Sequence, residues 1–211
     1  MARVSQAHLD ARRRQILDAA ALCFARNGFH ATSMQDVLKE ADLSAGAVYR
    51  YFRGKDELIT AIVAEVLGVL RETYEGAAEE APPPLPDVLI TRALARMRAV
   101  RPGLLEDGSW AFPRLVAQAW TEVGRNDELA VQVHTGYTAV RSAWMRVVES
   151  YKAAGLIDRS ADADAMSRVM VALAQGFVAH LAALGPVPDG TLERGLRALM
   201  SMRDPRAGER G

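Results

Sequence analysis

Apolar residues recur at helical spacing along almost the whole chain of 211 residues, and this pattern limits the possible folds more than any other feature. Ile16, Ala20, Cys23 and Phe24, for example, follow the i, i+4, i+7, i+8 spacing that places side chains on one face of a helix. The alternation of apolar and polar residues that marks a β-strand persists nowhere. The sequence therefore predicts an all-α fold.

Capping and chain-breaking residues divide this pattern into separate helices. Gly28 is placed to end the first helix, Ser33 and Ser44 precede short helices as N-caps, and Gly54 precedes a longer helix with acidic residues in its first turn. A proline-rich break, EEAPPPLPD at residues 79–87, separates the first four helices from the rest. The predicted helices cover about residues 10–27, 34–41, 44–51, 55–75, 86–100, 109–123 (as one or two short pieces), 127–154, 162–184 and 188–202.

The charge distribution distinguishes the N-terminal quarter from the remainder. The chain has 26 basic and 26 acidic residues, so its net charge does not indicate a polyanionic partner. Residues 1–55 hold nine basic and five acidic residues, which leaves 17 basic and 21 acidic residues for 56–211. The N-terminal quarter is therefore the part best suited to contact a polyanion.

The N-terminus and the longest apolar run bear on the compartment. The first fourteen residues are polar and rich in arginine, unlike a signal peptide, and a single cysteine, Cys23, excludes an internal disulfide. The run 169–187 is interrupted by Gln175, His180 and Pro186, so we interpret it as a buried helix rather than a membrane span. We expect a cytoplasmic protein with no membrane partner, in which Cys23 is a small buried apolar residue.

A helix-turn-helix motif stands out in the N-terminal quarter. Two short helices, joined by a tight turn at Asp42 and Leu43, follow a longer supporting helix. Residues 12–62, RRRQILDAAALCFARNGFHATSMQDVLKEADLSAGAVYRYFRGKDELITAI, closely resemble the DNA-binding domain of TetR-family transcriptional regulators. The matching marks are ILDAAALCFARNG in the first helix, Thr-Ser before the second, LSAGAVYRYF as turn and recognition helix, and GKDEL at the start of the fourth.

This resemblance implies a domain organisation for the whole chain. Residues 1–55 would form a three-helix helix-turn-helix DNA-binding domain, and a helix over 55–75 would link it to a second domain. Residues 56–203 would form that second domain, a helical bundle for effector binding and dimerisation, and residues 204–211 a flexible tail. Beyond the motif, only the helical layout and the length are similar to the family.

The turn departs from the family pattern. The family usually has glycine where this chain has Asp42, and aspartate tolerates a left-handed backbone less well than glycine. We therefore expect a less rigid turn at some cost in stability, with the fold unchanged.

The resemblance assigns candidate DNA contacts. The first turn of the recognition helix, which the family directs toward the bases, is small in this chain, so it brings the backbone close to DNA but offers little side-chain readout. Gln35 and Tyr49 match base-contacting positions, so we expect specificity to be carried by few residues or read indirectly through DNA shape. The candidate DNA-binding residues are Thr32, Ser33, Gln35, Ser44, Ala45, Gly46, Ala47, Tyr49, Arg50, Tyr51 and Lys55, of which the last four correspond to phosphate-contacting positions and Thr32 and Ser33 are possible donors to phosphate.

Several of these residues have a purely structural alternative. Ser33 and Ser44 are equally explained as helix caps, and Tyr49 as a packing residue. Residues 12–14, three arginines in a row, are either a solvated helix start or a contact to flanking phosphates. Val48 and Phe52 are predicted to pack in the small core.

The resemblance also implies a pocket for a small effector among the middle helices. His134, Tyr137, Arg141 and Trp144 follow i, i+3, i+7, i+10, so polar groups could lie beside an aromatic wall. The candidate effector-binding residues are Trp110, Trp120, His134, Tyr137, Arg141 and Trp144. Because a stripe at helical spacing is more often core than pocket, we expect most aromatic and sulfur side chains of this region, Met97, Phe112 and Met145 included, to be core.

The last two helices are the candidate dimer interface. The helix over 162–184 is apolar on two sides, so we expect it to be buried on both flanks. In the family the last two helices pair with their copies in a four-helix interface. The candidate interface residues are Val171, Ala174, Val178, Ala182, Leu192, Leu196 and Leu199. A two-fold dimer would present two recognition helices to half-sites about 34–36 Å apart on a palindromic operator.

No catalytic or metal-binding motif accompanies these features. The four histidines lack ligand spacing, and there is no second cysteine and no glycine-rich phosphate loop. We therefore expect neither an enzyme nor a cofactor or metal. The predicted function is a DNA-binding transcriptional regulator, a repressor released from a palindromic operator by a small-molecule effector; the alternative is a helical sensor or adaptor that binds a protein partner.

Overall fold

A computed structural model describes residues 6–201, and in that range the chain is all-helical, as predicted. The helices are α1 (Gln6–Asn27), α2 (Met34–Ala41), α3 (Ala45–Tyr49), α4 (Lys55–Ala78), α5 (Pro86–Val100), α6 (Ala111–Val123), α7 (Asp127–Ala153), α8 (Ala163–Leu184) and α9 (Thr191–Met200). The expected tail, 204–211, lies outside the described residues.

Helix ends differ from the predicted ones by a few residues. Helix α1 starts earlier than expected, at Gln6, whose amide donates to Asp10 one turn on at 2.9 Å. Helix α3 ends at Tyr49, two residues before the expected end, and α4 extends past residue 75 to Ala78. Residues 109–123 contain one helix, α6, preceded by an isolated bridge between Leu104 and Trp110.

The turn between α2 and α3 is fixed by local hydrogen bonds. Ser33 and Asp36 form a capping box at the start of α2, in which each side chain binds the other residue's backbone N–H. Asp42 has φ 52° and ψ 49°, the left-handed conformation that ends α2. The Leu43 N–H then donates to the Leu38 carbonyl at 3.1 Å, so the chain turns within two residues.

The hydrophobic core does not break where the DNA-binding domain was expected to end. One cluster of buried side chains includes Phe24 of α1, Val48 of α3 and Ile59 of α4, and continues to Phe112 of α6 and Leu129 of α7. A second cluster, centred on Trp144, lies among α4, α5, α7 and α9. The proposed boundary at residues 55/56 is therefore crossed by a continuous core.

Helices α4 and α7 form the most extensive helix–helix contact among the described residues. Their backbones approach closely at Gly136, where a Cβ would overlap the Leu67 side chain. Glycine in a helix interior is usually destabilising, but this close crossing explains its presence at position 136 of the 27-residue helix α7.

Helix α8 is more exposed than its sequence predicted. Within the single chain only Ala163, Ser167 and Val178 of its 22 residues are buried, and the expectation that both flanks are covered is not met. By length and apolar composition alone α8 could cross a membrane, but one such helix is weak support for that. Contiguous apolar surface that a single chain leaves uncovered is a mark of interaction sites.

Candidate DNA-binding surface and interior cavities

Helix α3 is held by two buried side chains and turns its other face to solvent. Val48 is fully buried, and Phe52, one turn later, packs in the same cluster, as predicted. Ala45, Gly46 and Tyr49 lie on the outside. The anchored side thus fixes the orientation of the exposed side.

The exposed face of α3 is small at its start and polar at its end. A Cβ added to Gly46 would meet no atom within 4 Å, so nothing inside the protein requires glycine there. Tyr49 is 48% exposed, and Arg50 is exposed and makes no ion pair within residues 6–201. Tyr51 is half-buried against the core, so only part of its ring is accessible.

The start of α3 and the body of α2 border a shallow groove. Its walls include Gln35 and Lys39 of α2 and Ser44 and Ala45 at the start of α3, while Ala47 lies half-buried beneath them. Ser44 Oγ accepts from the Ala47 N–H at 3.3 Å. Ser44 is therefore a cap whose position also faces the groove.

Two neighbouring residues, both predicted as donors to phosphate, have different surroundings. Ser33 is exposed, and its hydroxyl donates to Asp36 at 2.7 Å within the capping box. The Thr32 side chain is buried, and its hydroxyl lies 2.7 Å from the Gly28 carbonyl and 3.1 Å from the Cys23 carbonyl. The prediction for Thr32 is corrected, because its only O–H is used to tie the α1–α2 loop to α1.

Lys55 is positioned by contacts inside the protein. Its Nζ donates to the Phe29 carbonyl at 2.9 Å and the His30 carbonyl at 3.3 Å, and it lies 4.8 Å from the centre of the Phe29 ring. An ammonium has three donors, so one remains for a phosphate. Lys55 therefore has a structural role whether or not it contacts DNA.

The arginines at the start of α1 are partly engaged. Arg12 donates to Gln15 at 2.9 Å, and the Arg13 guanidinium lies 5.3 Å from the centre of the Phe52 ring. Arg14 is exposed. These contacts place the N-terminal half of α1 beside the end of α3.

The second half of the molecule contains two adjacent apolar cavities. Cavity A, of about 50 Å³, lies among α4, α6 and α7; cavity B, of about 70 Å³, lies among α4, α5, α6, α7 and α8. Val66, Phe112, Val116 and Tyr137 line both. Tyr137 therefore forms part of the wall between two spaces.

Two of the six predicted effector residues lie at these cavities. Trp120 lines cavity A, and its ring stacks on that of Tyr137 with centroids 5.5 Å apart. Burial raises the pKa of Tyr137, and a hydrogen bond with the Gln175 side chain offsets this only in part. Gln175 was not among the predicted residues, although a polar residue in the middle of an apolar helix was a usable signal.

The other four predicted residues lie away from the cavity walls. Trp144 is fully enclosed in the second cluster against Tyr74, and burial raises the pKa of Tyr74 to about 12. His134 is exposed on α7, and Arg141 lies 3.6 Å from Asp164 of α8. Helical spacing placed these three residues on one helix, α7, but their side chains do not line either cavity.

Trp110 belongs to the segment that joins α5 to α6. Its Nε1 donates to the Arg101 carbonyl at 2.6 Å, and its ring stacks on Phe112. The Arg101 guanidinium, in turn, binds Asp18 of α1 at 2.6 Å and Glu65 of α4 at 2.5 Å. Phe112, which lines both cavities, is therefore linked to α1 through Trp110 and Arg101.

The predicted dimer residues mostly face inward. Val171, Ala174 and Val178 line cavity B, while Leu192 and Leu196 pack against the second cluster. Ala182 is half-buried, and Leu199 is 61% exposed. The assignment to a surface is corrected for the inward residues, because an almost uniformly apolar helix gives no sequence signal for its outer side. The exposed face of α8 contains Ala165, Val169, Ala172, Gly176, Ala179 and Ala183.

Cys23 is buried, and burial raises the pKa of its thiol to about 11. Within residues 6–201, no cluster of three or more histidine, cysteine, aspartate or glutamate side chains is arranged to hold a metal ion.

Comparisons with known proteins place these features in a family. Residues 16–62 match the model of bacterial regulatory proteins of the tetR family. The HTH-type transcriptional repressor Rv1474c of Mycobacterium tuberculosis is 43% identical over 65 residues, which are 31% of this chain and 35% of that protein. That match therefore covers only about a third of the relative's length.

Two solved structures extend the similarity over both halves. Salmonella enterica GusR superimposes with a TM-score of 0.69 at 26% identity, covering 94% of this chain and 99% of its own. The transcriptional regulator FadR of Bacillus subtilis, solved in complex with stearoyl-CoA, has a TM-score of 0.66 at 17% identity over 88% of this chain and 94% of its own, a similarity of fold alone. The helix-turn-helix geometry and the family match together show that residues 16–62 form a DNA-binding domain of the TetR family, and the structural similarity to GusR extends over both halves of the chain.

Proposed function

We propose that the protein is a homodimeric repressor that binds a palindromic operator through α3 and is released by a small-molecule effector held in the second half of the chain. The observation that carries the proposal is the outward face of α3, which is fixed by Val48 and Phe52 but has no packing role of its own. A surface that the fold orients and does not use suits an external partner. In this role the protein acts in the cytoplasm and catalyses no reaction.

The residues on this face divide into two groups by chemistry. Ala45 and Gly46 allow the backbone to approach base edges, whereas Tyr49 and Arg50 are long enough to reach phosphates or bases. Gln35, on the other wall of the groove, is the candidate for a direct base contact. With so few reading side chains, DNA shape contributes to the choice of operator.

Dimerisation uses the exposed face of α8. The alanines and the glycine of this face allow two helices to pack at close distance, and Leu199 of α9 adds an exposed apolar side chain. Burying this face on a second copy removes a large apolar surface of the chain from water. Sedimentation that shows a monomer at working concentration would contradict this part of the proposal.

Effector control requires a path from the cavities to α3. Helix α4 lines both cavities and begins at Lys55, which is tied to the α1–α2 loop. Phe112 lines both cavities and adjoins the segment whose Arg101 binds α1. An effector that fits better when these elements have moved shifts the dimer away from the operator-binding state, by its differential affinity for the two states.

Selection of genomic DNA fragments by the purified protein tests the function, with Gly46→Ala as the decisive variant. Alanine is a better helix former than glycine, and the Gly46 site, in the first turn of α3, has room for its methyl group, so the variant should fold at least as well as the parent. We expect its operator affinity to fall by about tenfold or more, because the added methyl meets DNA.

Gly76→Ala is the matched control. Gly76 is an exposed glycine inside α4 with no atom within 4 Å of its added Cβ, far from α3 in sequence, so operator affinity should not change. Tyr49→Ala should also lose the selected motif with the fold retained. If no palindromic motif is enriched, or if Gly46→Ala and Tyr49→Ala leave binding intact, the adaptor function becomes the better explanation.

A further inference from the structure

We propose that the effector is an uncharged, elongated and largely apolar molecule with a single hydrogen-bonding group, and that it occupies cavities A and B together after Tyr137 moves aside. This inference rests on the proposed function, because it specifies the ligand of the effector-controlled regulator. It is carried by the side chains that line the cavities, the direction in which the cavities run, and the position of Tyr137.

The lining provides no partner for a charged ligand. Among the described residues that line the two cavities none carries a charge; apart from the tyrosines, Trp120 and Gln175, the walls are aliphatic residues, phenylalanine and methionine. The nearest candidate cation of the predicted set, Arg141, lines neither cavity and lies 3.6 Å from Asp164. Burying a carboxylate or phosphate here would leave it without a compensating charge, which is strongly unfavourable.

The cavities run along α4. Cavity A starts at Ile59 and cavity B reaches Tyr74, and both include Val66 near the middle. At 1.5 Å per residue these positions span about 22 Å of helix. A molecule that fills both spaces is therefore long and narrow rather than compact.

Neither cavity alone is large enough for a typical ligand. Volumes of about 50 and 70 Å³ are far below the roughly 300 Å³ of small ligand sites. Together with Phe112, Tyr137 is one of the two largest of the four side chains that line both cavities, and rotation of its ring away from the wall joins the cavities and adds the space that the ring now fills. Trp120, which stacks on Tyr137, is 45% exposed, so the same pair of rings separates cavity A from solvent.

One polar pair defines the hydrogen-bonding requirement. The Tyr137 hydroxyl interacts with the Gln175 side chain, and both line cavity B. When Tyr137 moves, the Gln175 amide loses this partner, and a half-buried amide without one costs free energy. A ligand with one donor or acceptor at this position restores the lost hydrogen bond and is selected over a pure hydrocarbon.

A matched pair of fluorescent probes tests the charge requirement on the full-length protein. N-phenyl-naphthylamine is neutral and has one N–H, whereas anilinonaphthalene sulfonate has the same ring system with an added sulfonate. We expect the neutral probe to bind at least about tenfold more tightly than the sulfonated one. Equal affinities, or tighter binding of the sulfonated probe, would overturn the inference.

Cavity-filling variants test the location. Ala174→Phe fills cavity B and Val116→Trp fills the wall that both cavities share, so each should lower the affinity for the neutral probe by about tenfold. Ala154→Phe, at the exposed end of α7, is the matched control and should change nothing. If both filling variants bind the neutral probe as well as the parent does, the ligand lies elsewhere and the inference is wrong.

A variant that changes which of the two probes binds more tightly provides a test that does not depend on loss of binding. Gln175→Lys places a cation at the polar end of cavity B, so it should shift the preference toward the sulfonated probe. An unchanged preference would count against the site. None of these measurements uses DNA, so the two proposals can fail separately. If the probes bind as expected but no operator is selected, the proposed function is refuted and the chemistry of the cavity stands. If an operator is selected but the probes do not bind, the proposed function stands and the inference about the effector is refuted.

Discussion

Two polar contacts hold the helix-turn-helix against the second half of the molecule, and they differ in which partner is buried: the cation in one, and the carboxylate in the other. In the first, Arg101 joins Asp18 of α1 to Glu65 of α4, and its side chain is 3% exposed. In the second, His30 Nε2 lies 3.2 Å from Glu122 and 2.8 Å from Arg125; the His30 side chain is 63% exposed, whereas that of Glu122 is only 5% exposed. The same two halves are thus joined once by a buried cation with partly exposed carboxylates, and once by a buried carboxylate with an exposed histidine.

This difference predicts that the two contacts contribute unequally to the stability of the fold. A buried ion pair is costly to break, because removal of one partner leaves the other charge without water or counterion. An exposed pair contributes little, because water replaces the lost partner. The buried Arg101 guanidinium is therefore the group whose rearrangement can couple the cavities to α1. Loss of the exposed His30 ring, by contrast, opens Glu122 to water, so it should have little effect on stability.

The largest expected effect is that of Arg101→Met. This change leaves the Asp18 and Glu65 carboxylates close together without their cation. Because these side chains are 41% and 25% exposed, water offsets part of the loss, and we expect the free energy of unfolding to fall by about 1–2 kcal/mol. Urea unfolding followed by circular dichroism measures it. Arg159→Met is the control, since Arg159 is exposed and makes no ion pair within residues 6–201. A loss of less than about 1 kcal/mol would show that water already supports this contact as well as the exposed one.

Lowering the pH should reduce the loss of unfolding free energy caused by Arg101→Met. Burial raises the pKa of Asp18, and Arg101 opposes the rise. Without Arg101 the folded-state pKa rises further, so the folded protein takes up a proton more readily than the unfolded chain as pH falls. The stabilisation from this protonation is complete below the unfolded pKa of about 3.9 and is lost as pH rises through the folded pKa.

The measurement compares Arg101→Met with the parent at about pH 7.5 and about pH 5. The gap between their unfolding free energies should narrow at the lower pH, because loss of Arg101 raises the folded-state pKa of Asp18 further in the variant than in the parent. In Asp18→Asn the carboxyl is absent, so the pH dependence of the Arg101→Met cost should weaken. A gap that stays constant with pH in both backgrounds would rule out a role for the Asp18 proton.

These contacts also mark the limit of prediction from the sequence. Local signals were sufficient for the N-cap at Ser33 and for α5, which begins at Pro86 and ends before Arg101 as expected. Arg101 and Asp18 lie 83 residues apart in the chain, so no local pattern links them.

In the candidate sites, too, the direction of individual side chains could not be predicted from the sequence. Thr32 and Ser33 are adjacent and chemically similar, yet only Ser33 faces solvent, because the α1–α2 loop folds the Thr32 side chain back onto α1. On α8 the composition predicted an apolar surface but not its direction, so Val171 and Ala174 were assigned outward although they line cavity B. Side-chain direction depends on tertiary packing, which periodicity does not contain when a helix is apolar nearly all round.

The smallest expected effect belongs to the exposed contact. His30→Ala removes the side chain near Glu122 and Arg125, but the His30 carbonyl that accepts from Lys55 stays in place. Glu122 is buried, but removal of the exposed imidazole admits water to its carboxylate, so we expect the unfolding free energy to change by no more than about 0.5 kcal/mol. Operator affinity and its response to the effector should also be close to those of the parent, since the α1–α2 loop keeps its two bonds to Lys55. A loss as large as that of Arg101→Met would mean that the buried Glu122 depends on His30 for its charge, and the two contacts would then be equivalent in strength despite their difference in exposure.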